Sequence, residues 1–163
     1  MLAIAAALIV FLGLFFNGGS PSNQEIYTDN SNRQELSSFV SRGETNANLL
    51  IAGESAFINK DYTTAIHNFS TYINNQTNVN PTALLYLGIA QLETNNTEAA
   101  LTTFNKLIES KTLDQSKGYW YKALVYFKMD DRGNAIKMLE SIAKDSKNFN
   151  YAKAQVLLKQ LQM

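Results

Sequence analysis

Few side chains in this chain are equipped for chemistry. The chain has one histidine, His67, and no cysteine. Without thiols there are no disulfides, thiolate metal sites, cysteine nucleophiles or lipidated cysteines. One imidazole makes a histidine metal centre or a Ser/His/Asp triad hard to assemble. His67 falls between Ile66 and Phe69 at a solvent-facing helical step and reads as a surface residue. Asp130-Asp131 reads most simply as a turn and helix cap, with a weak metal pair as the other reading. Lys117, Tyr119, Trp120, Tyr121 and Lys122 mix bases with aromatics, as single-stranded nucleic-acid sites do. The net charge is zero, however, so nothing attracts a phosphate backbone globally. Those aromatics read instead as core and groove residues, with Trp120 a candidate anchor for a partner. Asn-x-Ser/Thr at Asn68, Asn75 and Asn95 matters only in a eukaryotic secretory pathway. No catalytic residue, cofactor, metal or nucleic acid is expected.

The elements that carry these residues repeat. Gly53, Asp61-Tyr62, Ala65-Ile66 and Phe69 return 35 residues later as Gly88, Asn96-Thr97, Ala100-Leu101 and Phe104. They return again as Ala123, Asp131-Arg132, Ala135-Ile136 and Leu139. Three copies at one period predict a helical array, since a single helix pair cannot bury its apolar face alone. The first helices are expected near 45–59, 81–94 and 115–129, and the second near 62–74, 97–110 and 132–145. Pro81 suits a first helical turn. Asp61, Asn96 and Asp130 or Asp131 are placed to cap the second helices. Small residues at Gly53, Gly88 and Ala123 should let Ala65, Ala100 and Ala135 approach, with Phe69, Phe104 and Leu139 filling the space between copies. Tyr151 to Leu161 reads as a last, capping helix.

The pattern resembles the tetratricopeptide repeat (TPR) family. Copy two carries Leu84, Leu87-Gly88, Ala100 and Phe104. Copy one carries Gly53, Asp61-Tyr62, Ala65 and Phe69. Copy three carries Tyr119, Ala123, Tyr126, Ala135 and Leu139. The departures are the longer period, Ala56 and Gln91 at an aromatic position, Lys122 where Leu is usual, and no closing Pro. The resemblance implies an all-α, right-handed solenoid of three helix–turn–helix repeats (46–80, 81–115, 116–150) and a cap (151–163), together forming a domain over 44–163. It also implies a concave groove lined by the first helices. The expected lining is Leu50, Glu54, Phe57, Leu85, Ile89, Leu92, Trp120, Leu124 and Phe127, where a peptide or amphipathic helix of a partner protein would bury apolar surface. Family members that clamp a C-terminal carboxylate use Lys, Asn and Arg there; Leu50, Glu54, Thr82 and Tyr86 stand at those positions, so that clamp is not expected.

Ahead of the repeats, Leu2 to Phe16 are apolar without exception. A helix of that run covers about 23 Å at 1.5 Å per residue, near the lower limit of roughly 17–25 residues for a span. No basic residue precedes Arg33, which suits a membrane anchor over residues 1–17 better than a signal peptide. Residues 17–32 hold Glu25 and Asp29 but no Lys or Arg, which places the repeats outside the cytoplasm, in a bacterial periplasm. Residues 18–43 read as a flexible linker, with a possible short helix at 35–42 carrying Leu36, Phe39 and Val40. Charge is polarised: residues 1–105 hold three basic and eight acidic side chains, residues 106–163 eleven and six. That is either a docking polarity or a difference between solvated faces. The expected function is a non-catalytic, membrane-held scaffold with a protein or peptide partner. The alternative is a self-associating structural or chaperone-like module, whose groove takes its own N-terminal segment or a second copy in a homo-oligomer.

Overall fold

A computed structural model describes residues 20–31, 36 and 47–162 of the chain. The apolar run, Phe39, Val40 and most of the expected helix at 35–42 lie outside them. Among the described residues no helix is long and apolar enough to cross a membrane. Eight helices, and no strand, occupy those residues: α1 (Asn23–Asn30), α2 (Ala47–Ile58), α3 (Tyr62–Asn74), α4 (Pro81–Glu93), α5 (Thr97–Glu109), α6 (Gln115–Lys128), α7 (Arg132–Ala143) and α8 (Tyr151–Leu161). From α2 onward each helix packs on the next in sequence, and α2–α4 and α4–α6 also touch. This arrangement is consistent with a helical repeat solenoid.

The second helix of each pair buries one stripe. In α3 it is Ala65, Phe69, Tyr72 and Ile73; in α5 Ala100, Thr103, Phe104 and Leu107; in α7 Ala135, Leu139 and Ile142. These are steps of three and four residues, the spacing of one helical face. His67 lies off the stripe and is exposed.

Each pair is joined by the same turn. Lys60, Asn95 and Asp130 take left-handed backbone, with φ 61° at all three. The next residue's N–H then reaches back across the helix end: Asp61 to Ala56 O at 2.9 Å, Asn96 to Gln91 O at 2.8 Å and Asp131 to Tyr126 O at 2.8 Å. This is the Schellman closure, which satisfies carbonyls the helix end leaves free. Asp61 and Asp131 then cap the following helix, accepting from Thr64 N at 3.1 Å and Asn134 N at 3.0 Å. Asn96 was expected to do the same, but its side chain makes no capping bond. Asp131 is the cap in the third copy, and Asp130 is the left-handed residue before it.

At the crossing within a pair the nearest neighbours of the glycines are the phenylalanine rings. A Cβ added to Gly53 would lie 2.9 Å from the ring of Phe69, and one on Gly88 2.5 Å from the ring of Phe104. The glycines therefore make room for the phenylalanines, and Ala65 and Ala100 are buried on the same helices as those rings. The same rings also bridge to the next copy. Phe69 meets Tyr86 at 5.5 Å between centroids, and Phe104 stacks on Tyr121 at 5.8 Å. Gln91, at a position usually aromatic, is reconciled to the interior by accepting from Thr103 Oγ1 at 2.7 Å.

The tether reading of residues 18–43 is corrected over Asn23–Asn30, which form α1. Ser22 accepts from Glu25 N at 3.2 Å and Glu25 Oε2 accepts from Ser22 N at 2.8 Å, a complete capping box. A helix of eight residues is too short to stand alone in water. It persists because it packs on α6. Leu36, further along, is half-buried against the core.

Candidate partner-binding face

The face around the α6–α7 turn carries a short helix. Lys128 ends α6 and Arg132 begins α7, so the Schellman turn sets two cations on either side of Asp130. α1 lies against them with Ile26 2% and Tyr27 9% exposed. The Tyr27 hydroxyl donates to Glu93 Oε1 at 3.2 Å, at the end of α4. Lys128 Nζ sits 5.0 Å from the Tyr27 ring centre, within cation–π range. It also donates to Leu92 O at 2.7 Å, a cation at the negative end of the α4 dipole.

Arg132 spreads over the start of the segment. Its Nε donates to Asn23 Oδ1 at 2.9 Å, its Nη1 to Ser20 Oγ at 3.0 Å and its Nη2 to Pro21 O at 2.6 Å. The Asn23 amide nitrogen donates to Asp130 Oδ1. One carboxamide is thus read from both sides, its oxygen by a guanidinium and its nitrogen by a carboxylate. Hydrogen bonds from the Ser22 backbone, then its side chain, hold the Glu25 carboxyl below the usual range.

The expected groove residues are shielded from solvent to different degrees. Leu50, Phe57, Leu85, Ile89, Leu92, Trp120, Leu124 and Phe127 are all buried, and Glu54 is half-buried. In α4 every residue from Ala83 to Leu92 is buried. Trp120 meets Phe149 edge-on at 6.4 Å between centroids, so its indole is committed to the packing ahead of α8. Phe57 packs edge-on against Tyr62 and Tyr86. These eight side chains are covered in the structure.

The basic–aromatic cluster is likewise used internally. Lys117 pairs with Asp114 at 2.7 Å. Lys122 donates to Asn105 Oδ1 at 2.6 Å and lies 5.7 Å from the Tyr126 ring centre. Burial pushes the Lys122 pKa down and that of Tyr126 up. In this cluster Trp120 and Tyr121 are buried and Tyr119 is half-buried. Among the described residues no group of carboxylates and imidazole is arranged to hold a metal. A surface concavity of about 750 Å³ is lined by Asn78, Val79, Pro81, Lys106 and Ser110, among others, and brings no pair of reactive groups together.

The residues that the sequence reading passed over are Asn23, Ile26, Tyr27 and Arg132. One signal pointed to them: Ser22 and Glu25 have capping-box spacing just ahead of an Ile-Tyr pair. No curated protein matches the chain. Residues 82–110, which make up nearly all of α4 and α5, match the family model for the tetratricopeptide repeat. That stretch is similar to a tetratricopeptide repeat, a family whose repeats generally mediate protein–protein interaction.

Proposed function

We propose that this protein is a non-catalytic interaction scaffold that takes a short helix of a partner protein on the face between the end of α4 and the α6–α7 turn. The observation that carries the reading is the seating of α1: this face already holds a helix through two buried side chains and a set of directed polar bonds. The chain's own α1 occupies the place at rest, and a partner helix gains it by exchange. The apolar run Leu2–Phe16 supports a single-pass anchor in a bacterial inner membrane, with the repeats in the periplasm.

A library of helical peptides selected against the full chain carrying Ile26→Ser and Tyr27→Ser tests this. Selected peptides should lose binding when Lys128→Ala is added. A library that enriches nothing, or enriches peptides indifferent to Lys128, refutes the proposal.

The second reading, a structural module filled permanently by its own segment, draws on the same helix. Hydrogen exchange separates the two. Exchange at Ile26 and Tyr27 faster than global unfolding supports a displaceable helix; exchange at the global rate supports a permanent one. Protease accessibility in spheroplasts checks the side of the membrane: repeats resistant in intact spheroplasts would lie in the cytoplasm.

A further inference from the structure

We infer that Asp130 and Arg132 form a carboxamide-reading clamp, and that the partner is a helix presenting Asn at its first position and an aliphatic–Tyr pair at its fourth and fifth. The inference rests on the proposed exchange of α1 for a partner helix, with α1 as its template.

Asn23 is the first residue of α1, and Ile26 and Tyr27 are its fourth and fifth. Arg132 donates to the Asn23 amide oxygen and Asp130 accepts from its amide nitrogen. A neutral carboxamide satisfies both charged groups at once. A carboxylate at the same place would answer Arg132 and be repelled by Asp130. An apolar side chain would leave both without that partner. A site built to hydrogen-bond one group rejects analogues that lack it far better than an apolar pocket rejects a change of size. The other Asp130–Arg132 neighbours do not blunt this reading. The Asp131 carboxylate is turned to Asn134, through its backbone N at 3.0 Å and its amide Nδ2 at 2.6 Å. The other acceptors of Arg132 are the neutral Ser20 hydroxyl and Pro21 carbonyl.

The second half of the motif has its own readers. Glu93 accepts from the Tyr27 hydroxyl, Lys128 covers the ring, and Ile26 is buried. The charge split agrees. Residues 20–31 carry Glu25 and Asp29 with no base, and they dock on the half of the chain that holds eleven bases against six acids. A helix of this kind is drawn to that half before any specific bond forms.

The test uses the full chain with Ile26→Ser and Tyr27→Ser, and labelled synthetic peptides of the 20–31 sequence read by fluorescence anisotropy. The parent peptide should bind this chain at least ~10-fold more tightly than it binds wild type, a tenfold change being about 1.4 kcal/mol. Peptides with Asn23→Asp or Asn23→Leu should bind ~10-fold more weakly or worse. Adding Asp130→Asn to the protein should restore the Asn23→Asp peptide, since the carboxylate then meets Arg132 unopposed. Equal binding by all peptides overturns the clamp while leaving the exchangeable face intact. No binding by any peptide to a folded chain overturns both. A wild-type chain that sediments as a dimer dispersed by Ile26→Ser and Tyr27→Ser assigns the face to a second copy and overturns a foreign partner. Should those two substitutions prevent folding, exchange at Ile26 and Tyr27 decides the clamp. Asn23→Asp should speed it and Asn23→Asp with Asp130→Asn should restore it; no change on Asn23→Asp overturns the clamp.

Discussion

The ring of Phe104 lies across Gly88 so closely that a Cβ added to the glycine would come within 2.5 Å of it. Glycine is present here for space, within a helix where it is otherwise a poor residue. Copy three has Ala123 and Leu139 at the equivalent positions, both buried, a larger small residue set against a smaller large one. Gly88→Ala should therefore destabilise the fold: overpacking costs about 1–3 kcal/mol, against about 1 kcal/mol regained in helix propensity. Gly53→Ala should cost less, its nearest ring atom being 2.9 Å away. Adding Phe104→Leu to Gly88→Ala should recover part of the loss by reproducing the copy-three pair. Urea unfolding followed by circular dichroism measures all three.

Lys60 is exposed and left-handed, with φ 61°. That backbone costs a side chain with a Cβ roughly 1–2 kcal/mol, while glycine adopts it freely and Asn is tolerated there. Lys60→Gly should raise the thermal midpoint. Asn95→Gly, at the same step of the next copy, should raise it less.

Thr103 and Gln91 are buried and bonded to each other at 2.7 Å. Thr103→Val removes the donor and strands the Gln91 oxygen, which costs about 1–3 kcal/mol. Gln91→Leu with Thr103→Val removes both polar groups and should restore much of the stability, as a double-mutant cycle would show.

Burial, and then the charge of Glu54, push the Tyr86 phenol up to about 12. An unfolded tyrosine ionises near 10. The folded state thus holds its proton more tightly, a contribution present in full below pH ~10 and lost as pH rises toward the folded value. Tyr86→Phe should flatten the alkaline loss of stability between pH 10 and 12; an unchanged alkaline limb would refute the assignment.

At the acid end, hydrogen bonds from the Thr64 side chain and backbone hold Asp61 below its usual range, and bonds from the Asn134 backbone and side chain do the same for Asp131. Their contribution is present above the unfolded carboxylate value of about 3.9. It disappears as pH falls through the lower folded values. Asp61→Ala with Asp131→Ala should weaken the fold at neutral pH and shrink the difference from wild type as pH falls through that window.

What the sequence alone determined was the helical register of the repeats. Helix pairing there is set by apolar steps of three and four residues, by Pro81 and by Asp61, all of them local, so α2 to α8 begin and end within two residues of where the pattern puts them. The 35-residue recurrence carried the same information three times over. The tertiary structure alone decided what lies against the inner helices. The bonds that seat α1 join residues 66 to 112 positions apart, from Tyr27 to Glu93 up to Ser20 to Arg132, separations no local periodicity reports. A segment rich in Asn and Ser, with a capping box and one Ile-Tyr pair, is too short to hold a helix until another surface buries that pair. Likewise Leu85, Ile89 and Trp120 are apolar side chains whose composition suits a groove wall and a core equally. Which of the two they form depends on what packs over them, and in the structure all three are buried.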